Sequence, residues 1–335
     1  MSTPEREVVR AAWMEKVASV RDVLIEHAEE SEANGTLAQP AVDALRDAGF
    51  FMLKMPAALG GAEADPMLQI EVIEALSYID AASGWCAMIA AGSGSGMSAF
   101  LPEAGAELVY GRGAPITAGS FFPAGRAVPV TGGYRVSGRY RFASGIRHSD
   151  WISCSAVVVR HDGQMDADNS SAEVVNIVVP TSEVEIHDNW HVVGLRGTGS
   201  CDFSIDDLFV PTELTFAPPG TTPKPNRGGP LFHLTIPASV ATEHIGFAAG
   251  VARRALDELT IMATTQRGRY RPSALSERQV VHRKIGEFDL RLRAARAWPR
   301  FLRRYLASTQ PGRACPSGGS GREPGDRDLH HRYCG

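Results

Sequence analysis

Phe142-Ala143-Ser144-Gly145 sets an aromatic ring and a hydroxyl two residues apart, at the end of an alternating run that begins at Gly133. A serine hydroxyl both donates and accepts hydrogen bonds, so Ser144 can serve a bound ring in more than one state. Ser144-Gly145 reads equally well as a turn that ends a strand. Nearby, His148 in Arg147-His148-Ser149-Asp150-Trp151 can act as acid or base near neutral pH, or stand as a polar residue at a strand end. Gly119, Ser120 and Gly125 lie in a small-residue stretch where backbone N–H groups can approach a ligand closely. The run Gly92-Ser93-Gly94-Ser95-Gly96 has neither the preceding strand nor the spacing of a phosphate-binding loop. Its glycines leave room against a ligand or another helix. No metal site is expected: His187 and His191 fall in a predicted loop or strand, His330-His331 in a biased tail, and none has ligand spacing.

Around these residues the pattern changes twice. In residues 1–112, Val9, Trp13, Val17, Val20 and Leu24 recur at helical spacing. Gln39-Pro40 opens a second helix, with proline in its first turn. Met67 to Tyr78 predicts a third helix. Asp80 to Phe100 is apolar on nearly all sides, as a buried helix is. From about Gly113 to 217 a period of two takes over, punctuated by the hairpin signal Thr131-Gly132-Gly133 and by candidate loops at His161-Asp162-Gly163 and Asp166 to Ser171. Trp190 to Ser200 reads as a turn between strands, after which Phe203, Ile205 and Phe209 alternate as a half-buried strand. Residues 218–230 read as a linker. Helical periodicity returns over 231–308, with Ile245, Ala249, Ala252 and Leu256 on one face. Residues 309–335 are rich in glycine and proline and carry no period.

The 335 residues suffice for two or three domains. A formal net charge of −4 argues against a nucleic-acid partner. No apolar run approaches the roughly 18 residues of a membrane span, and the charged N-terminus is no signal peptide. Five irregularly placed cysteines give no disulfide framework, so a reduced, cytoplasmic protein is expected.

The string Trp190 to Ser200, continuing through Asp202-Phe203 and Phe209-Val210-Pro211, resembles the middle domain of the acyl-CoA dehydrogenase superfamily, in particular its branch of flavin-dependent monooxygenases. Gly133 to Gly145 is similar to the strand pair that holds the flavin there, and the order helical, β, helical agrees. The resemblance implies an α+β multidomain fold: a helical N-terminal domain, a central β-barrel-like domain and a partial C-terminal helical bundle. It places Phe142 near the isoalloxazine and Ser144 at flavin N5, with Gly145 beside them. His148 is the place of a frequent histidine. Gly119 and Ser120 line the pyrimidine edge. Arg267 reaches the pyrophosphate of a flavin in a neighbouring subunit. The helix from Trp85 to Phe100 lines the substrate pocket, with Ser93 where several aromatic hydroxylases carry a histidine. Implied with these are reduced flavin (FADH2 or FMNH2) from a separate reductase, O2, a small aromatic or polycyclic substrate and a homotetramer.

Two other readings stand beside it. An acyl-CoA dehydrogenase needs a carboxylate base. One family position for it aligns with Val240, Glu243 lies almost a turn away, and the other position falls beyond Leu306, where the match ends. The tail from about 309 has the composition of a gene read out of frame, which implies an inactive, truncated remnant.

Overall fold

The structure is a computed structural model. It describes residues 3–159, 173–217, 224–234, 236–265 and 275–308. Arg267, both candidate loops at 161–171 and the tail 309–335 lie outside the described residues.

Six helices come first: α1 (Thr3–Glu26), α2 (Ala28–Asn34), α3 (Gln39–Asp47), α4 (Pro66–Ile79), α5 (Ala81–Phe100) and α6 (Glu103–Tyr110). The predicted stripe of α1 buries Trp13, Val17, Val20 and Leu24. Pro40 sits in the first turn of α3, as expected. Asp65 caps α4 by accepting from the N–H groups of Met67 and Leu68, and Asp80 caps α5 through Ser83 N–H at 2.7 Å. Helix α5 is buried along most of its length and joins the helical core to the sheet.

The change at Gly113 is real: α6 ends at Tyr110 and β1 (Thr117–Val130) follows. It pairs with β2 (Gly133–Ala143) through the predicted hairpin, Gly132 taking a φ of 82°. Then come β3 (Trp151–Val158), β4 (Val174–Pro180), β5 (Glu185–Ile186), β6 (Cys201–Pro211) and β7 (Thr215–Phe216). The expected barrel-like domain takes the form of a mixed sheet in the order β5-β6-β2-β1-β3-β4-β7. Neighbours are antiparallel except β1 and β3, a parallel pair that hairpin signals could not announce. The strand read as Phe203, Ile205, Phe209 needs correction. Asp207 adopts a φ of 45°, and the β2–β6 register shifts between Val136 and Gly138. The extra residue reverses the alternation, so Val210 is buried and Phe209 is exposed.

The described part of the expected linker is structural. Asn226 donates to the carbonyls of Phe100 (2.8 Å) and Leu101 (3.0 Å), and Arg227 donates to those of Ser98 (2.8 Å) and Leu101 (2.9 Å). These side chains satisfy carbonyls that the end of α5 leaves without helical partners.

Helices α7 (Ile236–Thr265) and α8 (Gln279–Ser308) complete the described residues. The expected α7 face is half right. Ala249 and Leu256 are buried, but Ile245 is exposed. The helix turns two glycines toward α4 instead. A Cβ on Gly246 would lie 2.5 Å from the Ile70 carbonyl oxygen, and one on Gly250 would strike that of Glu74. Among the described residues, no helix is long and apolar enough to cross a membrane.

Candidate active site

Strand β2 ends in a strained residue. Phe142 has a φ of 60°, a region that bulky side chains rarely enter, and its ring is 66% exposed. Strain held in an exposed aromatic ring is a mark of a functional position. The ring meets Trp190 edge-on, with centroids 6.2 Å apart. Phe121 and Phe122 stand exposed on β1, where its register with β3 shifts between Ser120 and Gly125.

Two residues past Phe142, the chain turns inward. Ser144 is buried, and its Oγ accepts the indole N–H of Trp85 at 2.8 Å and lies 2.7 Å from Ser200 Oγ. Ser200 Oγ lies 2.7 Å from Thr198 Oγ1, which donates to the Leu195 carbonyl at 2.9 Å. Gly145, with a φ of 76°, donates its N–H to Thr198 O at 2.8 Å. The glycine-rich turn thus lies behind Ser144 and braces it. Glu32 of α2 holds the turn from the other side, accepting the N–H groups of Arg196 and Gly197 at 3.1 Å each.

Trp85 brings α5 to this cluster, its ring edge-on to Phe247 of α7 with centroids 4.8 Å apart. His148 follows in a short 3-10 turn, with Nδ1 3.4 Å from Thr36 Oγ1 and Nε2 packed over Gly145. Burial, and then the charge of Arg46, lower its pKa to about 4, so the ring is neutral at pH 7. That suits a hydrogen-bonding ring rather than a cation. Gly119 is buried under neighbours: a Cβ there would lie 2.6 Å from Ser153 O and 3.0 Å from Ser93 Oγ. Ser120 is half-buried beside it and pairs with Cys154.

Ser93 therefore faces β1 rather than open space, and its hydroxyl finds no partner. Helix α5 instead presents Gly92, Ser95 and Gly96 to a small cavity of about 50 Å³, closed by Phe121, Phe232 and Val240. At its edge lies a buried ion pair that sequence reading did not assemble. Lys54 Nζ is 3.2 Å from Glu243 Oε2 and donates to Ser239 Oγ (3.0 Å) and Ser239 O (3.2 Å). Burial raises the Glu243 carboxyl to about 7 against the pull of Lys54, and its Oε1 has no partner. A larger cleft of about 410 Å³ lies among α1, α4, α7 and α8. It shares no residue with the Ser144 cluster, and three of its arginines are paired, Arg10 with Glu71 at 3.0 Å, Arg296 with Glu74 at 2.7 Å and Arg253 with Asp289 at 2.6 Å.

Comparison with known proteins now bears on this arrangement. Residues 5–107 match the family model "Acyl-CoA dehydrogenase, N-terminal domain", and residues 244–309 match "Acyl-CoA dehydrogenase, C-terminal domain". The chain belongs to the acyl-CoA dehydrogenase family. It is 31% identical to an indole-3-acetate monooxygenase of Pseudomonas putida, over 78% of this chain and 64% of that protein. It is 34% identical to a flavin-dependent monooxygenase oxygenase subunit, HsaA, of Mycobacterium tuberculosis, over 62% of this chain and 50% of the relative. The chain therefore spans less than two thirds of the length of either relative. Among solved structures it resembles XiaF from a Streptomyces species in complex with FADH2 and glycerol, at a TM-score of 0.77 and 26% identity, over 88% of this chain and 76% of that one.

Proposed function

We propose that the chain is the oxygenase component of a two-component flavin-dependent monooxygenase that hydroxylates a small aromatic or polycyclic substrate. The observation that carries this reading is the end of β2, where a strained, exposed Phe142 stands two residues before a buried Ser144 that keeps an unused lone pair. The donor set fits a flavin: an exposed aromatic ring with a hydroxyl two residues further on, while Gly119 and Ser120, paired with β3, are assigned to the pyrimidine edge by resemblance. Bound reduced flavin supplies the activation of O2.

The residues of the chain then do the following. Phe142 and Trp190 offer the isoalloxazine an aromatic wall. Ser144 holds the N5 edge. Neutral His148 packs behind the turn as a hydrogen-bonding ring rather than a cation near pH 7. Gly92 and Gly96 of α5 give the substrate a water-poor cavity beside Phe121, and Trp85 is assigned to the substrate pocket by resemblance. Arg267 remains assigned to a flavin pyrophosphate, on resemblance alone.

The partners of this reading are a separate flavin reductase, O2 and further copies of the chain in a cytoplasmic homotetramer. Exposed Leu259, Ile261 and Met262 of α7, with Val280 and Leu290 of α8, support association. The dehydrogenase reading lacks a free base at the cavity: Val240 carries no proton acceptor, and Glu243 is held by Lys54.

The test is to titrate the purified chain anaerobically with dithionite-reduced FAD and FMN, then to admit O2 with a panel of phenols and indoles. Saturable binding of reduced flavin and an oxygenated product are expected. Binding of neither flavin, or catalytic reduction of bound FAD by an acyl-CoA, overturns the reading.

A further inference from the structure

The Trp190 to Ser200 string is the strongest signal in the sequence, yet none of its hydroxyls needs to touch the flavin. Its geometry gives those hydroxyls another task. Four hydrogen bonds join five polar groups in a chain: Trp85 Nε1 to Ser144 Oγ at 2.8 Å, Ser144 to Ser200 at 2.7 Å, Ser200 to Thr198 at 2.7 Å, and Thr198 to Leu195 O at 2.9 Å. The three hydroxyl residues are each at most 5% exposed, so water does not compete for their protons.

Both ends of this chain fix its direction. An indole nitrogen only donates and a carbonyl oxygen only accepts. Each hydroxyl has one proton. Thr198 spends its proton on Leu195 O, so Ser200 must donate to Thr198 and Ser144 must donate to Ser200. Reversing the chain would set Thr198 Oγ1 against Leu195 O at 2.9 Å with no proton between them. Ser144 is left with its proton engaged, one lone pair filled by Trp85 and one lone pair open.

We propose that Trp85, Thr198 and Ser200 are positioning residues that hold Ser144 as a pure hydrogen-bond acceptor, so that the site selects reduced flavin, which carries N5–H, over oxidised flavin, whose N5 needs a donor. This rests on the flavin reading of Ser144. It assigns to the conspicuous turn a role in choosing the redox state of the ligand.

The test measures dissociation constants of the full chain for oxidised and dithionite-reduced FAD and FMN, under anaerobic conditions, for wild type, Ser200→Ala, Thr198→Val and Thr198→Ser. Wild type is expected to bind the reduced form more tightly. In Ser200→Ala the Ser144 proton loses its acceptor and is released to face N5, and in Thr198→Val Ser200 loses its own acceptor, is free to donate to Ser144 instead, and so frees the Ser144 proton in the same way. The preference for reduced flavin then falls about tenfold, the worth of about one hydrogen bond. The midpoint potential of the bound flavin falls with it by about 30 mV. Thr198→Ser keeps the hydroxyl and restores the preference. Equal loss of both affinities leaves their ratio unchanged and counts against the proposal, because a merely loosened site weakens both forms alike. An unchanged ratio in folded Ser200→Ala and Thr198→Val, judged by circular dichroism, overturns the proposal and leaves the flavin reading intact. Failure of wild type to bind either form overturns both.

Discussion

The chain fastens helices to its centre in two contrasting ways. Helix α2 meets the turn at 195–200 through directed polar contacts: Glu32 accepts two backbone N–H groups, and Ser31 packs on Gly197. Helix α7 meets α4 chiefly through close backbone approach at Gly246 and Gly250, flanked by side-chain hydrogen bonds from Thr242 to Gln69 and from Tyr78 to Asp257, each 3.0 Å. The first mode fixes orientation, which a hydroxyl aimed at a ligand edge requires. The second fixes the distance between the helices, and α7 and α8 carry several exposed apolar side chains. The contact that braces Ser144 is thus of a different kind from the one that seats α7 on α4.

The largest expected effect breaks the close contact. In Gly250→Val the added carbons strike the Glu74 carbonyl and the Ser77 side chain, which belong to a packed helix and cannot withdraw easily. A loss of about 3 kcal/mol of stability is expected in denaturant unfolding. A loss below 0.5 kcal/mol, on the scale of an ordinary surface change, would show that α7 is not seated on α4 as described. The polar contact is expected to yield less. Glu32→Ala leaves two backbone N–H groups with no protein acceptor in a partly exposed place, for about 1.5 kcal/mol. It should also weaken flavin binding, because the turn that braces Ser144 loses its anchor. Flavin affinity that stays at the wild-type value while stability falls would separate the turn from the site.

The two regions also carry titrating groups of opposite sign. Glu243 sits at about 7 when folded against a usual 4.5, so between these pH values the folded state holds the extra proton and stability falls as pH rises. His148 sits at about 4 against 6.5, so between these values the unfolded state holds the extra proton and stability is lost as pH falls. From 4.5 to 6.5 the two slopes oppose. Thermal unfolding across that window should therefore rise with pH in Glu243→Gln and fall with pH in His148→Gln. The same slope in both variants would contradict the two assignments.

What sequence could reveal follows from the range of each cause. Helix periods, the proline start of α3 and the hairpin at Gly132 depend on neighbours a few residues away, and all were legible. Phe142 and Ser144 were legible as a string. The partners of Ser144 were not, since Ser200 lies 56 residues away and only the β2–β6 pairing brings it close. Lys54 and Glu243 meet for the same kind of reason, across the packing of α7 on the helical core. Phe209 was misjudged because a bulge at Asp207 reverses a period-two pattern without changing its composition. The α7 face was misjudged because a scale that counts apolar side chains gives no weight to glycines, although here they make the closest contact.

The smallest effect on stability is expected at the residue nearest the proposed chemistry. A phenylalanine at a φ of 60° pays a conformational cost of about 1–2 kcal/mol. Glycine relieves that cost, and it gives back roughly 0.5–1 kcal/mol through the greater freedom of its unfolded chain. The Phe142 ring is 66% exposed, so its removal uncovers little apolar surface. Phe142→Gly should thus unfold within about 1 kcal/mol of wild type when no flavin is present. Its affinity for reduced flavin should fall about tenfold, because a ring that contributes little to folding would be contributing a stacking contact worth about 1 kcal/mol or more to the ligand. The pairing of these two measurements is what carries weight. If Phe142→Gly is markedly destabilised, the ring is a packing element and the strain at β2 is maintained for the fold. If it is stable and binds flavin as tightly as wild type, the exposed wall at Phe142 and Trp190 does not face the ligand, and the flavin must approach Ser144 from the side of Phe121.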